Sequence, residues 1–540
     1  FKNLGFNLGL NYIKIGDRHT PSYSLTNSGK EEKGFNLGFH YHLKNFDIKT
    51  YYSYVGIDQA LLKASMFHSG NAISRAISSE IPLIVEPFSY DINPPSQWVK
   101  HHFAKVSIDW WYNENDKISL IAGRQLNKRK EFDVRRNIEK PIIDLDLTST
   151  DLMLEWDHSF SDNLDGLIGL HFFNQDNDNN PGTQTTPFIP NYNTNRYSFF
   201  LVENLKLGKN LFELGLRIDN EDYNVRGREV SQNIFRDEHS LTNTTFSLGY
   251  ENQVSENFSF RTNLGSAWRT PNMAELYSFG SHGFKASFGL LRYYYNEDEK
   301  LRTDKVTIIS ETNLSPEKSF KIINEFDYNS EKNKVKLTLF SNYILNYVFE
   351  RPIGLYGTIR GPMPYFIFDQ TDMLFLGSDL TLKRKFSKKL HSSFTLNYLW
   401  SNNLDKNGKL LNQPPIRIEK NLSFKTNNFW KSDFSEISLK PSYTFKQIQA
   451  PMTFSPESLI SGENIITPET NIFDFKDAPD AYFLLDFSWK LNINDISVSL
   501  FVNNILNKKY RNYLNNMRYF ADEPGRNFII NLSYTFKKKN

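Results

Sequence analysis

The chain has 540 residues, with 63 Lys plus Arg against 61 Asp plus Glu and no cysteine. The near balance of charge excludes a nucleic-acid binder held by a basic field, and the lack of cysteine excludes a disulfide framework, a thiolate metal site and a cysteine nucleophile. Aromatic residues are abundant (8 Trp, 28 Tyr, 45 Phe) although the mean hydropathy is negative, and no window reaches the ~18 consecutive apolar residues of a spanning helix.

In chain order the first clear pattern is Phe6, Leu8, Leu10 and Tyr12 alternating with Asn7, Gly9 and Asn11. A period of two marks a strand. The same alternation sets Phe35, Leu37, Phe39, Tyr41 and Leu43 against Asn36, His40 and His42, and Ala104, Val106, Ile108, Trp110 and Tyr112 against Lys105, Ser107 and Asp109. It returns in Leu152, Leu154 and Trp156, in Ile496, Val498, Leu500 and Val502, and finally in Phe528, Ile530, Leu532, Tyr534 and Phe536 against Asn527, Asn531, Ser533 and Thr535. One face is apolar and the other carries the polar and charged residues, and no helical periodicity of comparable clarity appears.

The connections alternate too. Tight polar turns are expected at Lys44-Asn45, Asn113 to Asp116, Ser161-Asp162, Gly208-Lys209, Ser330 to Lys332 and Asn492 to Asn494. Between them stand long loops, at 56–100, 127–147, 175–195, 220–241, 269–317 and 448–479, well beyond usual loop lengths. Short turns on one rim and long loops on the other describe an all-β, transmembrane antiparallel β-barrel. About 20 strands are expected, each near the ~9 to 11 residues that span the hydrocarbon when tilted. If Lys44-Asn45 is periplasmic, the strand from Gly5 to Ile15 ascends, and an even-numbered closed wall then needs two strands ahead of it, giving about 22. Residues 1–540 are therefore expected to form one N-terminally incomplete barrel domain, with its first two strands outside this sequence.

The closing run Val502-Asn503-Asn504-Ile505-Leu506-Asn507-Lys508-Lys509-Tyr510, with Pro524 to Phe528 and Leu532 to Phe536, resembles the last hairpin of TonB-dependent outer-membrane receptors, particularly those of Bacteroidetes-type bacteria. Trp268-Arg269-Thr270-Pro271 with Glu275-Leu276-Tyr277, followed by Asn313 to Ser319, is similar to that family's segment around a long extracellular loop. Gly16 to Pro21 with Leu25 to Gly29 echoes its first loop. The resemblance implies a plug domain, also absent from this sequence, and a cell outer membrane location in a Gram-negative bacterium. It further implies active uptake of a scarce solute, for which a ferric siderophore or another metal chelate is the first choice. The implied partners are outer-membrane lipid and lipopolysaccharide, the TonB energy-coupling complex acting through the plug, the chelate itself and a surface lipoprotein; nucleic acid is not one. The rival reading is a plugless pore or scaffold barrel that binds partner proteins.

Polar residues on the non-lipid face, His40, His42, Asp109, Glu155, Asp157, Arg261, Glu325 and Asp327, are expected to line the lumen and hold the plug or solvate a wet interior. His101 and His102 after Trp98, with His68 and His282 in long loops, are the imidazoles nearest the mouth. The loop 269–317 concentrates Arg292 with Tyr293, Tyr294 and Tyr295, rings and a guanidinium suited to a flat anionic chelate. Ligand contact is thus expected from Arg269, His282, Arg292, Tyr293, Tyr294, Tyr295, Trp98 and His101, while Trp98, Trp110, Trp400 and Trp489 also fit interfacial girdles. No catalytic constellation, resident metal site or cofactor is expected, since the nearest cluster, Asp157-His158-Ser159, scatters its side chains over two faces of a strand.

Overall fold

The computed structural model describes residues 3–65, 72–134, 137–298, 300–358, 361–406, 408–427, 429, 432–461 and 472–536. Its main sheet has 22 strands. Two of them, Phe279–His282 and Lys285–Phe288, form a hairpin within a loop, and the second lies parallel to Tyr365–Ile367. The other twenty form the wall. They are β1 (Leu4–Ile15), β2 (Lys30–Leu43), β3 (Phe46–Ala60), β4 (Ser96–Trp111), β5 (Lys117–Phe132), β6 (Ile143–Ser161), β7 (Leu164–Asn179), β8 (Asn191–Leu207), β9 (Asn210–Arg228) and β10 (Ile234–Ser255), followed by β11 (Phe258–Arg269), β12 (Glu317–Asn329), β13 (Asn333–Thr358), β14 (Gly361–Lys385), β15 (Leu390–Asn403), β16 (Arg417–Thr426), β17 (Phe434–Thr444), β18 (Tyr482–Ile493), β19 (Ile496–Asn503) and β20 (Asn527–Tyr534). Each wall strand pairs antiparallel with its neighbours in sequence. No described helix is long and apolar enough to cross a membrane; the crossing is by strands.

Which face is inner follows from contacts across the mouth. His282, in the loop after β11, reaches Glu131 at the top of β5, so Glu131 and its same-face residue Ser119 point inward. Leu120, Leu152, Leu154, Leu170, Leu214, Leu248 and Leu264 then point outward and are exposed, forming the lipid-facing band. Phe528, Ile530 and Leu532 lie on that face at 66%, 73% and 75% exposure, high because β20 pairs only with β19 among the described residues and β1 only with β2. Two wall edges are therefore without a described partner. Trp110 stacks on Phe46 at 5.9 Å, and Trp156 donates to the Tyr112 hydroxyl at 2.9 Å, an aromatic edge on the short-turn rim. Trp98, Trp400 and Trp489 also share the outward register.

Packing on the inner face explains several glycines. Asn7, Asn36 and Asn11 stand opposite Gly38, Gly9 and Gly34 in the β1–β2 ladder. Likewise Phe200 and Phe340 lie over Gly169 and Gly377, where any Cβ would overlap the ring. These side chains lie over the facing glycines, which is why no Cβ stands at those positions.

One sequence expectation is corrected. The segment 220–241 is mostly strand: β9 and β10 pair without interruption from Asn210↔Asn252 to Arg228↔Ile234. The ends of 56–100, 127–147 and 175–195 are likewise strand, to Ala60, Phe132 and Asn179 and from Ser96, Ile143 and Asn191. The apolar alternation ends where the wall leaves lipid, yet the ladder continues. On β9 the outward residues change from Leu216 and Ile218 to Asn220 and Asn224, and Asn220 donates to Thr242 and Asn224 to Glu238 across the pair. Polar cross-strand bonds replace lipid contact there.

Candidate functional site

On the long-loop rim the connections fold over the mouth as a cap with its own apolar cores. One core gathers Ile73, Ala76 and Ile77 of a short helix (Ala72–Ser78), Phe284, Phe366, Phe473, Phe475, Tyr519 and Phe520 from segments far apart in sequence. A second packs Met273, Leu276 and Tyr277 against Tyr223, Val225, Phe235, Leu291 and Ile309. A third joins Phe288 to Met363, Tyr365 and Ile367.

Buried charges fasten the cap. Arg518 donates to Asp474 at 2.6 Å and to the Tyr513 carbonyl at 2.9 Å, while Tyr519 and the Phe475 amide also donate to Asp474. Tyr23 donates to Asp522 at 3.0 Å, tying the connection between β1 and β2 to that between β19 and β20, and burial pushes its phenol well above its ordinary pKa. Lys476 donates to the Ile77 carbonyl at 2.6 Å; burial, with Arg511 nearby, lowers its pKa to about 8.

Beneath this cap, in the mouth, lies a cavity of about 480 Å³ lined by Arg18, Glu131, His282, Phe284, Lys285 and Asp522 among others. Its wall joins the tops of β3 and β5 to the β1–β2 connection, the loop 269–317 and the β19–β20 connection. Size and mixed polarity suit a small-molecule site. Glu131 accepts from Arg129 and faces His282 Nε2 at 3.1 Å, and Lys285 pairs with Glu350. Among the described residues no three His, Asp or Glu converge as a metal-binding group.

Of the residues singled out in the sequence, His282 lines this cavity. Arg292 does not: it is buried, donates to the carbonyls of Tyr277 (3.0 Å) and Arg228 (2.9 Å), and sits 5.0 Å and 5.1 Å over the rings of Phe235 and Phe279. Burial lowers its pKa to about 10. Tyr293 is half-buried, packs against the third core and donates to the Phe368 carbonyl at 2.7 Å. Tyr294 and Tyr295 lie on a two-residue ladder with Leu301 and Arg302, and Tyr295 is exposed. Arg269 is held by Glu275 at 2.6 Å and by Glu317, while Glu275 completes the capping box of the helix Met273–Tyr277. The motif Trp268 to Tyr277 with Glu317 is thus a clasp around the largest loop. Trp98 faces outward with Lys100 4.6 Å over its ring, and His101 faces the lumen with Asn127 at 3.3 Å. His68 lies outside the described residues.

The inward charges form separate clusters on the lumen wall. Asp47 accepts from His40 and pairs with His42 and Lys49; Lys49 reaches Asp109, and Ser119 donates to Asp109 at 2.8 Å. Asp157 pairs with Lys117, while Glu155 shares its face. Arg261 bridges Glu251 and Glu325, the latter also bound by Lys336, with Asp327 next on that face. Sequence reasoning assigns no site role to Arg18, Glu131, Lys285 or Asp522; Arg18 lies in a motif read only for its family resemblance, the others stand in none, and the fold alone brings the four together.

A strand-only wall with an apolar outer band, a charged lumen and a folded cap over one mouth defines a transmembrane β-barrel of the outer-membrane type. The chain belongs to the TonB dependent receptor-like, beta-barrel family, whose model matches residues 2–505. Among solved structures it is similar to the copper transporter OprC (TM-score 0.73, 11% identity, covering 99% of this chain and 76% of that one). It is also similar to the siderophore receptor PirA from Acinetobacter baumannii (0.69, 14%, 99% and 76%) and the F3-3 variant of the FrpB iron transporter from Neisseria meningitidis (0.68, 13%, 99% and 77%). No curated protein matches the chain.

Proposed function

We propose that the protein is the barrel of an outer-membrane receptor that captures a metal chelate, most simply a ferric siderophore, and imports it by TonB-coupled transport. The observation that carries the reading is the mouth cavity of about 480 Å³, which five separated parts of the chain build from apolar side chains together with Arg18, Lys285 and His282 and the carboxylates of Glu131 and Asp522. Cations and rings suit carboxylates or catecholates around iron. The iron and siderophore transport named for the similar structures supports the same class. Capture lies with His282, Lys285 and Arg18, and Tyr294 and Tyr295 extend it at the surface. Arg269, Arg292 and Tyr293 act at one remove, by holding the loop that presents these groups. In this reading a plug occupies the lumen against the charges from His40 to Asp327, further strands pair with the two wall edges, and TonB acts through the plug. Lipid, lipopolysaccharide and a surface lipoprotein surround or cover the barrel, and nothing is covalently transformed.

The test is intrinsic-fluorescence titration of the receptor with ferric catecholate, ferric hydroxamate and haem, repeated with Lys285→Ala and His282→Ala. Saturable binding of at least one chelate, weakened roughly tenfold or more by Lys285→Ala, about one desolvated ionic hydrogen bond, is expected. Saturable binding that neither variant changes would move capture away from this cavity.

A further inference from the structure

The outward face of a spanning barrel should carry little that ionises, since charge on that face is destabilising and depth-dependent. On the short-turn side of β6 to β8 this wall departs from the rule. His158, Gly166 and Glu203 form one rung across three strands, in register with the outward residues Trp156, Leu170 and Leu205. His158 Nε2 lies 3.1 Å from Glu203 Oε1, reaching it across Gly166. A Cβ at Gly166 would stand 2.5 Å from the Val202 carbonyl and 2.6 Å from Glu203 Oε2, so this glycine makes room for the pair. The imidazole is packed between Trp156 (4.8 Å) and Phe160 (4.3 Å) and is buried, whereas the Glu203 side chain keeps a quarter of its surface. One face of the carboxylate is held and the other remains open.

That open face borders a groove of about 590 Å³ on the outer wall, lined by Leu205, Phe212, Leu214, Leu248 and Tyr250 with Glu203 at its edge. The ladders set Glu203 level with Leu214, Leu248 and Leu264, one outward step above Leu205, Phe212 and Tyr250. Strand rise and tilt put it roughly 12 Å above the Gly208-Lys209 turn, at the inner margin of the apolar band on the short-turn rim. We propose that this groove binds an aminophospholipid of the periplasmic leaflet, its acyl chain along the leucines and its ammonium on Glu203. The choice of occupant follows from charge and place. A half-buried carboxylate with one open face beside apolar walls selects a cation joined to an alkyl chain and repels anionic headgroups, and an ammonium has N–H donors for both carboxylate oxygens. His158 fixes the carboxylate's orientation before the lipid arrives, which lowers the ordering cost of binding.

Native mass spectrometry of the receptor, delipidated in mild detergent and re-supplied with phosphatidylethanolamine, phosphatidylcholine or phosphatidylglycerol, tests the assignment. The expected result is a phosphatidylethanolamine adduct that survives activation at which the other two are stripped. Glu203→Gln should reduce that adduct at least fivefold relative to the parent, and Leu214→Trp, which fills the groove, should remove it. Heat-modifiable gel migration identifies folded barrel in each sample, and Leu214→Trp leaves the question answerable if Glu203→Gln misfolds. Equal retention of all three lipids, or an adduct indifferent to both variants, overturns the proposal. So does a second polypeptide held at this surface and lost in Glu203→Gln, which would make it a protein interface.

Discussion

Replacing Asp474 by Ala removes the acceptor on which the cap converges. Its carboxylate takes hydrogen bonds from Arg518 at 2.6 Å, from Tyr519 at 2.5 Å and from the Phe475 amide at 2.7 Å. Both ion-pair partners are almost entirely shielded, at 1% and 2% side-chain exposure, so water cannot substitute. Breaking one half of a buried pair leaves the other charge uncompensated and costs about 3 to 5 kcal/mol. Some of the guanidinium's donors keep the Tyr513 carbonyl, and the tyrosine rings 4.3 Å and 4.8 Å away still face the cation, which places the expected cost near the lower figure. At about 1.4 kcal/mol per tenfold, a loss of about 3 kcal/mol raises the open population of the cap roughly a hundredfold. Limited proteolysis in detergent reads this directly, because cleavage follows the open fraction when opening and closing are fast. Cleavage within 504–526 and 445–481 should accelerate by that factor while the wall stays intact by heat-modifiable migration. The double variant Asp474→Leu/Arg518→Met, which replaces the pair by apolar volume, should recover most of the protection. Cleavage of Asp474→Ala within twofold of the parent would refute the view that this pair holds the two loops together.

Leu154→Arg, on the outward face near mid-wall, should cost roughly 2 to 4 kcal/mol in bilayer unfolding titrations, whereas Ile121→Arg on the inward face should cost much less; equal costs would reverse the facing assigned here. Gly377→Val must displace the Phe340 ring that covers it, with an overpacking penalty of about 1 to 3 kcal/mol, and an unchanged unfolding midpoint would contradict that contact. For Lys476 the sign follows from its pKa of about 8 in the closed cap against 10.5 when free. Between those values the open loop binds more protons than the closed one, so closure strengthens as pH rises. Protease resistance should increase from pH 8 to 9.5 in the parent and stay level in Lys476→Met; resistance that falls over that range would show the lysine to be stabilised by its charge.

The wall was legible in the sequence because one physical constraint acts on every strand. Where one face meets hydrocarbon and the other water, each residue must declare a side, and Phe35 to Leu43 do so without exception, as do Phe528 to Phe536 apart from Ile529. The same signal sets the boundaries, but only of the lipid-facing part. Above Ile218 the outward residues of β9 are Asn220 and Asn224, polar like those a loop would carry, so the pattern reads as loop although the ladder runs on to Arg228. Hydrogen bonding continues where hydrophobicity stops, and sequence periodicity reports only the second.

The mouth was legible only in part, for a different reason. Arg292 and Tyr293 stood out by composition, and the fold uses both to brace the loop: Arg292 caps two carbonyls while Tyr293 donates to Phe368. A guanidinium or a ring in a long loop has the same chemistry whether it meets a ligand or the loop's own backbone, and only tertiary placement separates these uses. The cap makes the choice unavoidable. A loop of nearly fifty residues over an open barrel must bury apolar groups and satisfy its backbone, which draws Arg, Tyr and Asp into its interior. The side chains that line the cavity, such as His282 and Arg18, come from segments over a hundred residues apart. The cavity is therefore a property of how loops close on one another, so, with capture at the site proposed above, a substitution that loosens Asp474 and Arg518 should weaken chelate binding although neither residue lines that cavity.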